Sequence, residues 1–268
     1  MRPVAGAQIE ISYEGDPDSE IRRYTTDESG MTEIITLPAP AEIYSTQYSE
    51  QQPYAEYTIR ASAEGYEDVE VAGTEILPEV LAIQEIRMPA AVGSEEFERI
   101  VIGPHTLFGT FPPKSAEEEI KPMTESGEIV LSRVVIPEYV VVHDGVPTDS
   151  SAKNYWVRFK DYVKNVASSE IYATWTDAAI RANVLAIMSF VLNRVYTEWY
   201  RNKGYDFTIT TSTAFDQKWI YGRNIFQSIS NVVDEMYGNY LSRPNVKQPI
   251  LTQYCDGRRV SCPNWMTQ

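Results

Sequence analysis

The reading turns on Asp161-Tyr162-Val163-Lys164-Asn165-Val166-Ala167-Ser168-Ser169-Glu170-Ile171-Tyr172-Ala173-Thr174-Trp175, which resumes at Ala178-Ala179-Ile180-Arg181-Ala182-Asn183. Phe159, Tyr162, Val163 and Val166 recur at helical spacing, which predicts an amphipathic helix. A longer helix is expected from Asp177 to Asn202, with Ile180, Val184, Ile187, Val191 and Val195 along one stripe. Thr176 can cap its start, and Gly204 stands where a helix end wants a left-handed residue. Glu170 therefore falls at the junction of two helices, followed by the apolar Ile171, Tyr172 and Trp175. Such neighbours strip water from a carboxyl, raise its pKa and leave it protonated, ready to act as an acid. The competing reading is a helix-terminal or salt-bridged surface glutamate. No obvious second carboxylate lies nearby in sequence, because Asp177 is expected to complement the dipole of its helix.

Downstream, a third helix is expected from Asn224 to Leu241. Phe207 to Thr213 reads as a strand or extended loop, and Ile250 to Tyr254 as a late strand. The tryptophans Trp156, Trp175, Trp199, Trp219 and Trp265 all lie beyond residue 150. Trp156 and Trp199, placed on helical segments, are expected in the core. Residues 151–268 carry 14 basic and 9 acidic side chains, against 5 and 18 in residues 1–90 and 4 and 11 in residues 91–150. The whole chain has a net charge of −15. That leaves no concentrated basic footprint for phosphates, so no nucleic-acid role is expected. Cys255 and Cys262 are close enough for a local disulfide, and two reduced thiols or a metal site are the alternatives. The histidines, His105 and His143, lie far upstream of those cysteines, which counts against zinc. Neither a metal nor a cofactor is expected.

Upstream, Ala7-Gln8-Ile9-Glu10-Ile11-Ser12-Tyr13, Glu33-Ile34-Ile35-Thr36-Leu37, Tyr57-Thr58-Ile59-Arg60-Ala61 and Glu67-Asp68-Val69-Glu70-Val71 alternate with period two. This pattern predicts strands with one buried face, and hence a small all-β sandwich over residues 1–90. Residues 91–150 contain Gly103-Pro104, Phe111-Pro112-Pro113-Lys114 and Glu117-Glu118-Glu119. They read as a stiff, acidic linker that ends in a strand from Val134 to His143. His143 is weighed there as a base or ligand against a structural histidine. No run of about 18 apolar residues and no charged-then-apolar leader is present, so no membrane span is expected. Both ends read as though cut from a longer protein.

The layout Pro3-Val4-Ala5-Gly6-Ala7, Thr26-Asp27-Glu28-Ser29-Gly30, Tyr57-Thr58-Ile59 and Ala63-Glu64-Gly65-Tyr66-Glu67 resembles the carboxypeptidase-regulatory, transthyretin-like domain, which implies a spacer. Residues 151–268 resemble the SpoIID/LytB domain of bacterial cell-wall enzymes. That likeness rests on the quoted helix ending in glutamate, the aromatic turn, the opening of the long helix, Thr210 to Gln217, and Leu251-Thr252-Gln253-Tyr254-Cys255. The expected architecture is therefore an N-terminal sandwich followed by an α+β, SpoIID-like domain.

The resemblance implies cleavage of peptidoglycan glycan strands by a lytic transglycosylase. Glu170 falls on the family's catalytic glutamate, Arg181 on its lysine and Asn183 on its glutamine. Tyr172, Trp175 and Tyr254, with Trp219, Tyr221 and Trp265, are candidate platforms for sugar rings, whose apolar faces match flat aromatics. Where the family carries an arginine about eighteen residues after the glutamate, this chain has Met188 and Ser189; Arg194, farther along the helix, is the candidate substitute. The changed arginine position and the segment from Cys255 to Pro263 favour a second reading, a non-catalytic wall-binding or amidase-enhancing module. A third is a structural protein of a spore or surface layer. The partners implied are glycan strands and other cell-wall or spore proteins. The location implied is the cell envelope, a spore or the extracellular space.

Overall fold

The structure is a computed structural model that describes residues 2–91, 97–115, 117, 130–257 and 266–268. It contains helices and several mixed sheets, an α+β content. The chain divides into two compact units. The first takes in Met1–Pro104, Tyr172–Thr174 and Ile220–Gln227, and the second His105–Ile171, Trp175–Trp219 and Ser228–Gln268.

In the first unit the strands are β1 (Gln8–Tyr13), β2 (Arg22–Thr25), β3 (Ala55–Ser62), β4 (Val69–Ile76), β5 (Ala82–Ile83) and β6 (Glu98–Val101), with a short helix α1 (Ile43–Thr46) between β2 and β3. Five of them form one sheet in the order β2-β1-β3-β4-β6, antiparallel except for the β4–β6 pair. Strict alternation puts Ile9 and Ile11 of β1 beside Ala55, Tyr57, Ile59 and Ala61 of β3 in one buried cluster. The alternating run Glu33 to Leu37, expected as a strand, forms no strand pairing among the described residues; Ile35 and Leu37 pack on this cluster while Ile34 stays 80% exposed. Its alternation half-buries two side chains without a ladder. The place beside β1 goes to Arg22–Thr25 instead. Residues 98–101, expected in a linker, form the parallel edge β6.

The same unit is completed by residues from far along the chain. Ile225–Phe226 pairs with β5, and Ile220 joins Val69, Val71 and Ile102 in a second buried cluster. Arg223 meets Glu75 at 2.5 Å with side chains 0% and 1% exposed. Asn224 accepts from the Glu75 backbone N–H at 3.1 Å and donates to the Glu75 carbonyl at 2.8 Å.

The second unit holds β7 (Tyr139–His143), β8 (Asn154–Arg158), α2 (Phe159–Glu170), α3 (Asp177–Tyr196), β9 (Ile209–Thr210), α4 (Gln227–Met236), β11 (Tyr254–Cys255) and β12 (Met266–Thr267), β10 being the Ile225–Phe226 strand of the first. β7 is the middle of a three-stranded sheet, antiparallel to β8 and parallel to β9; β11 and β12 pair in parallel. Thr176 caps α3 by accepting from the Ala179 N–H at 3.4 Å. The long helix ends at Tyr196 rather than Asn202, and Gly204, with φ +84°, closes the single 3₁₀ turn that follows. Val184, Ile187, Met188, Val191 and Leu192 are all fully buried, so α3 is the unit's central helix rather than a one-stripe surface helix. It is long and apolar enough to span a membrane, yet two thirds of it lies inside the protein. Trp156, expected in a helical core, sits on β8 with 75% of its surface exposed, because its neighbours alternate on a strand. The late strand is confined to Tyr254–Cys255.

Candidate functional site

Glu170 is the last residue of α2. The helix ends there because Ile171 turns extended, its N–H still donating to the Ala167 carbonyl. That places Glu170, 3% exposed, in the lining of a cleft of about 190 Å³. The segment Gly109 to Lys114 lines the same cleft, as do Tyr254, Asp256 and Gln268.

Both Glu170 oxygens are held. Oε1 accepts from the Lys218 backbone N–H at 2.7 Å, and Oε2 accepts from the Tyr254 hydroxyl. Tyr254 in turn accepts from Gln217 Nε2 at 3.1 Å, and Gln217 accepts from the Tyr162 hydroxyl at 3.1 Å while donating to the Ile187 carbonyl. This buried chain of donors fixes the orientation of Tyr254 through three elements. Burial raises the Glu170 carboxyl above the usual glutamate range, opposed by Lys114 and by the hydrogen bonds from Lys218 and Tyr254. Burial raises the Tyr254 phenol well above its ordinary value, reinforced by Glu170. An oxygen that accepts one hydrogen bond keeps a second lone pair, so a proton on Glu170 can point into the cleft without breaking the network.

Lys114 reaches the cleft from the segment Phe111-Pro112-Pro113, read from the sequence as linker. Its ammonium donates to the Asp216 backbone carbonyl and lies 5.0 Å from the Phe190 ring centre and 5.7 Å from that of Tyr254. Burial pushes this ammonium below the ordinary lysine range, opposed by the negative charges of Glu170 and Asp216. Asp256 is a second carboxylate on the same cleft. A lone basic residue after two prolines in an acidic stretch was the available sequence signal for Lys114; for Asp256, it was its place two residues after Tyr254.

The other expected site residues lie elsewhere. Arg181 spends its charge on Asp177 at 2.6 Å and Glu235 at 2.5 Å on the helix surface. Asn183 donates to the Ala179 carbonyl and accepts from Gln268, which does line the cleft. Tyr172 belongs to the first unit, and Trp175, half-buried in the second, is not among the lining residues. Trp219 is buried against Tyr155, and Tyr221 belongs to the first unit. Arg194 is buried at 1% exposure: Nε donates to Asp216 at 2.6 Å, Nη1 and Nη2 to the two Glu117 oxygens, and Nη2 also to the Phe215 carbonyl. Burial opposes its charge, and Asp216 and Glu117 more than offset that. With four of its five N–H donors engaged, Arg194 organises the interior, and it is not among the residues that line the cleft. Met188 is fully buried. His143 is structural, its ring nitrogens bonded to Asn154 and the Val146 carbonyl and its face stacked on Phe207. Cys255, on the cleft wall, is disulfide-bonded. Cys262, Trp265 and the rest of that loop lie outside the described residues.

A second cavity of about 280 Å³ is lined by Trp199, Tyr205 and Phe215 among others, and two chain segments contribute residues to both cavities. Lys114 and Thr213 line one cavity, Ser115 and Phe215 the other, and the Ser115 N–H donates to the Ala214 carbonyl at 2.6 Å between them. Trp199, expected in the core, is half-buried there because α3 ends before it. Compared with models of protein families, with curated proteins and with solved structures, the chain matches none.

Proposed function

We propose that this chain cleaves the glycan strands of bacterial peptidoglycan as a lytic transglycosylase of the SpoIID/LytB type, with Glu170 as its acid and then its base. The observation that carries the reading is one carboxyl, raised by burial, held on both oxygens and open to a cleft. Protonated Glu170 gives its proton to the glycosidic oxygen, the C1–O bond breaks, and the leaving sugar departs as an alcohol. The resulting carboxylate then takes a proton from a hydroxyl of the retained sugar, whose oxygen closes onto C1 as an anhydro ring. Glu170 ends protonated, so one residue completes the cycle. The neighbouring aromatic cavity supports a polymeric substrate, since a strand occupying the first cleft has a second set of ring faces beside it.

The first unit is read as a transthyretin-like sandwich spacer, and the chain as a protein of the cell envelope or spore. Its partners in that reading are glycan strands and neighbouring wall proteins. A non-catalytic wall-binding or amidase-enhancing role is the second reading. It is favoured by Met188 at the family's arginine position and by the consumption of Arg194 in its ion network. Mass spectrometry of products from purified, peptide-free strands decides among these. Anhydro-ended fragments are expected. Reducing ends formed with water instead point to Asp256 as a second carboxylate and a hydrolase. Intact strands that the protein nonetheless retains point to the binding module.

A further inference from the structure

We propose that Lys114 is the specificity residue of the Glu170 cleft, taking a carboxylate carried by the bound saccharide. This rests on the glycan-cleaving reading of the same site and names the acidic character of the strand it accepts.

The Lys114 ammonium has three donors; among the described residues one is used, on the Asp216 carbonyl, and no carboxylate lies within ion-pair distance. Its ammonium lies over the rings of Phe190 and Tyr254, and the residue lines the same cleft as Glu170. The charges that face it are Glu170, Asp216, Glu117 and Arg194. Asp216 and Glu117 are already spent on Arg194, so Glu170 is the anion left to balance Lys114. When Glu170 is protonated to act as an acid, that balance is gone, and Lys114 is left as a half-buried cation on the cleft with Asp256, the other carboxylate of the lining, outside ion-pair distance. A substrate carboxylate restores it through a charge-assisted hydrogen bond. Lys218, the other nearby cation, is absent from the lining and lies 5.6 Å from the Phe111 ring centre.

The coupling also runs toward the acid. The Lys114 charge lowers the Glu170 pKa, so an anion on Lys114 weakens that effect and leaves Glu170 protonated to higher pH. Lys218 and Tyr254 act on Glu170 in the same direction as Lys114 and are untouched by the substitution.

The test is equilibrium binding by Glu170→Gln protein, which leaves strands uncut, of peptide-free glycan fragments with free carboxylates and of the same fragments with those groups amidated. The free acids are expected to bind about tenfold to a hundredfold more tightly. Adding Lys114→Met, which keeps the stem packing, should erase the preference, and Lys114→Arg should retain most of it. In otherwise wild-type enzyme, Lys114→Met should shift the alkaline limb of kcat upward, which loss of packing alone does not do. Equal binding of the two fragment sets to protein with Lys114 intact overturns the assignment whether or not the variants fold. If the enzyme still cuts strands in that case, the glycan reading survives alone. If no fragment binds and none is cut, both fall.

Discussion

Glu75 in the first unit and Glu170 in the second are buried to nearly the same degree, 1% and 3% exposed, and burial raises both carboxyls. Their surroundings differ. Glu75 faces Arg223 at 2.5 Å in a closed interior, where Asn224 also fastens its backbone. Glu170 has two neutral donors and a cation outside ion-pair distance, and it opens on a cleft. Glu75 Oε2 takes the Arg223 cation while Oε1 has no hydrogen-bond partner among the described residues, so one charged partner neutralises a carboxylate that is shut away from solvent. Two hydrogen bonds orient it and leave a lone pair for a proton. Burial and a raised pKa are thus shared by a structural and a candidate functional glutamate, and what separates them is a charged partner in a closed interior against neutral donors beside a cleft.

The largest expected effect breaks the comparison on the functional side. Glu170→Gln keeps the size and the acceptor at Oε1 but removes the proton, so strand cleavage should fall by about 10²–10⁴-fold. The unfolding temperature should change little. A variant that loses stability but keeps its rate puts Glu170 in the same class as Glu75.

The reverse is expected for Arg223→Met. It leaves a buried carboxylate without its cation, at a cost of about 3–5 kcal/mol in stability, while the cleavage rate per folded molecule holds. The sign with pH follows from the Glu75 shift: its folded pKa is raised, and losing Arg223, which lowers it, raises it further. Between the ordinary glutamate value and that raised one, the folded state binds the extra proton. The variant should therefore regain stability as pH falls through that window. Denaturant melts of wild type and variant at several pH values check this.

What was readable in the sequence follows the range of the contacts. The end of α2 at Glu170, the Thr176 cap and the alternation of β1 and β3 are decided within a few residues, and they lie where the pattern places them. The Glu75–Arg223 pair spans 148 positions and the Lys114–Asp216 bond 102, and no local pattern encodes either. Lys114 was hidden for that reason, in a proline-containing stretch whose composition reads as linker. Arg194 was legible as a helical residue but not as a buried one, since its partners Glu117 and Asp216 come from two distant loops. Tyr172 follows Glu170 by two residues and still belongs to the other unit, so nearness in sequence misplaced it as a cleft wall.

The smallest effect sharpens the comparison at a single oxygen. Tyr254→Phe deletes the hydroxyl that donates to Glu170 Oε2 and accepts from Gln217 Nε2. Gln217 keeps its bond to the Ile187 carbonyl and its acceptance from Tyr162, so the stability loss should stay at about 1–2 kcal/mol. The rate should respond through pH. A donor to a carboxylate favours its ionised form, and its removal raises the Glu170 pKa further, in the direction burial already drives it. Glu170 acts first as an acid, so the rate falls as pH rises past its pKa, and that alkaline limb should move upward in the variant. At pH values on the wild-type limb, Tyr254→Phe should then be the faster enzyme, while on the acid side it equals or trails wild type. A limb that stays in place while stability falls would mean that the Tyr254 bond only packs the interior, and Glu170 would rejoin Glu75 as a buried glutamate held for structure.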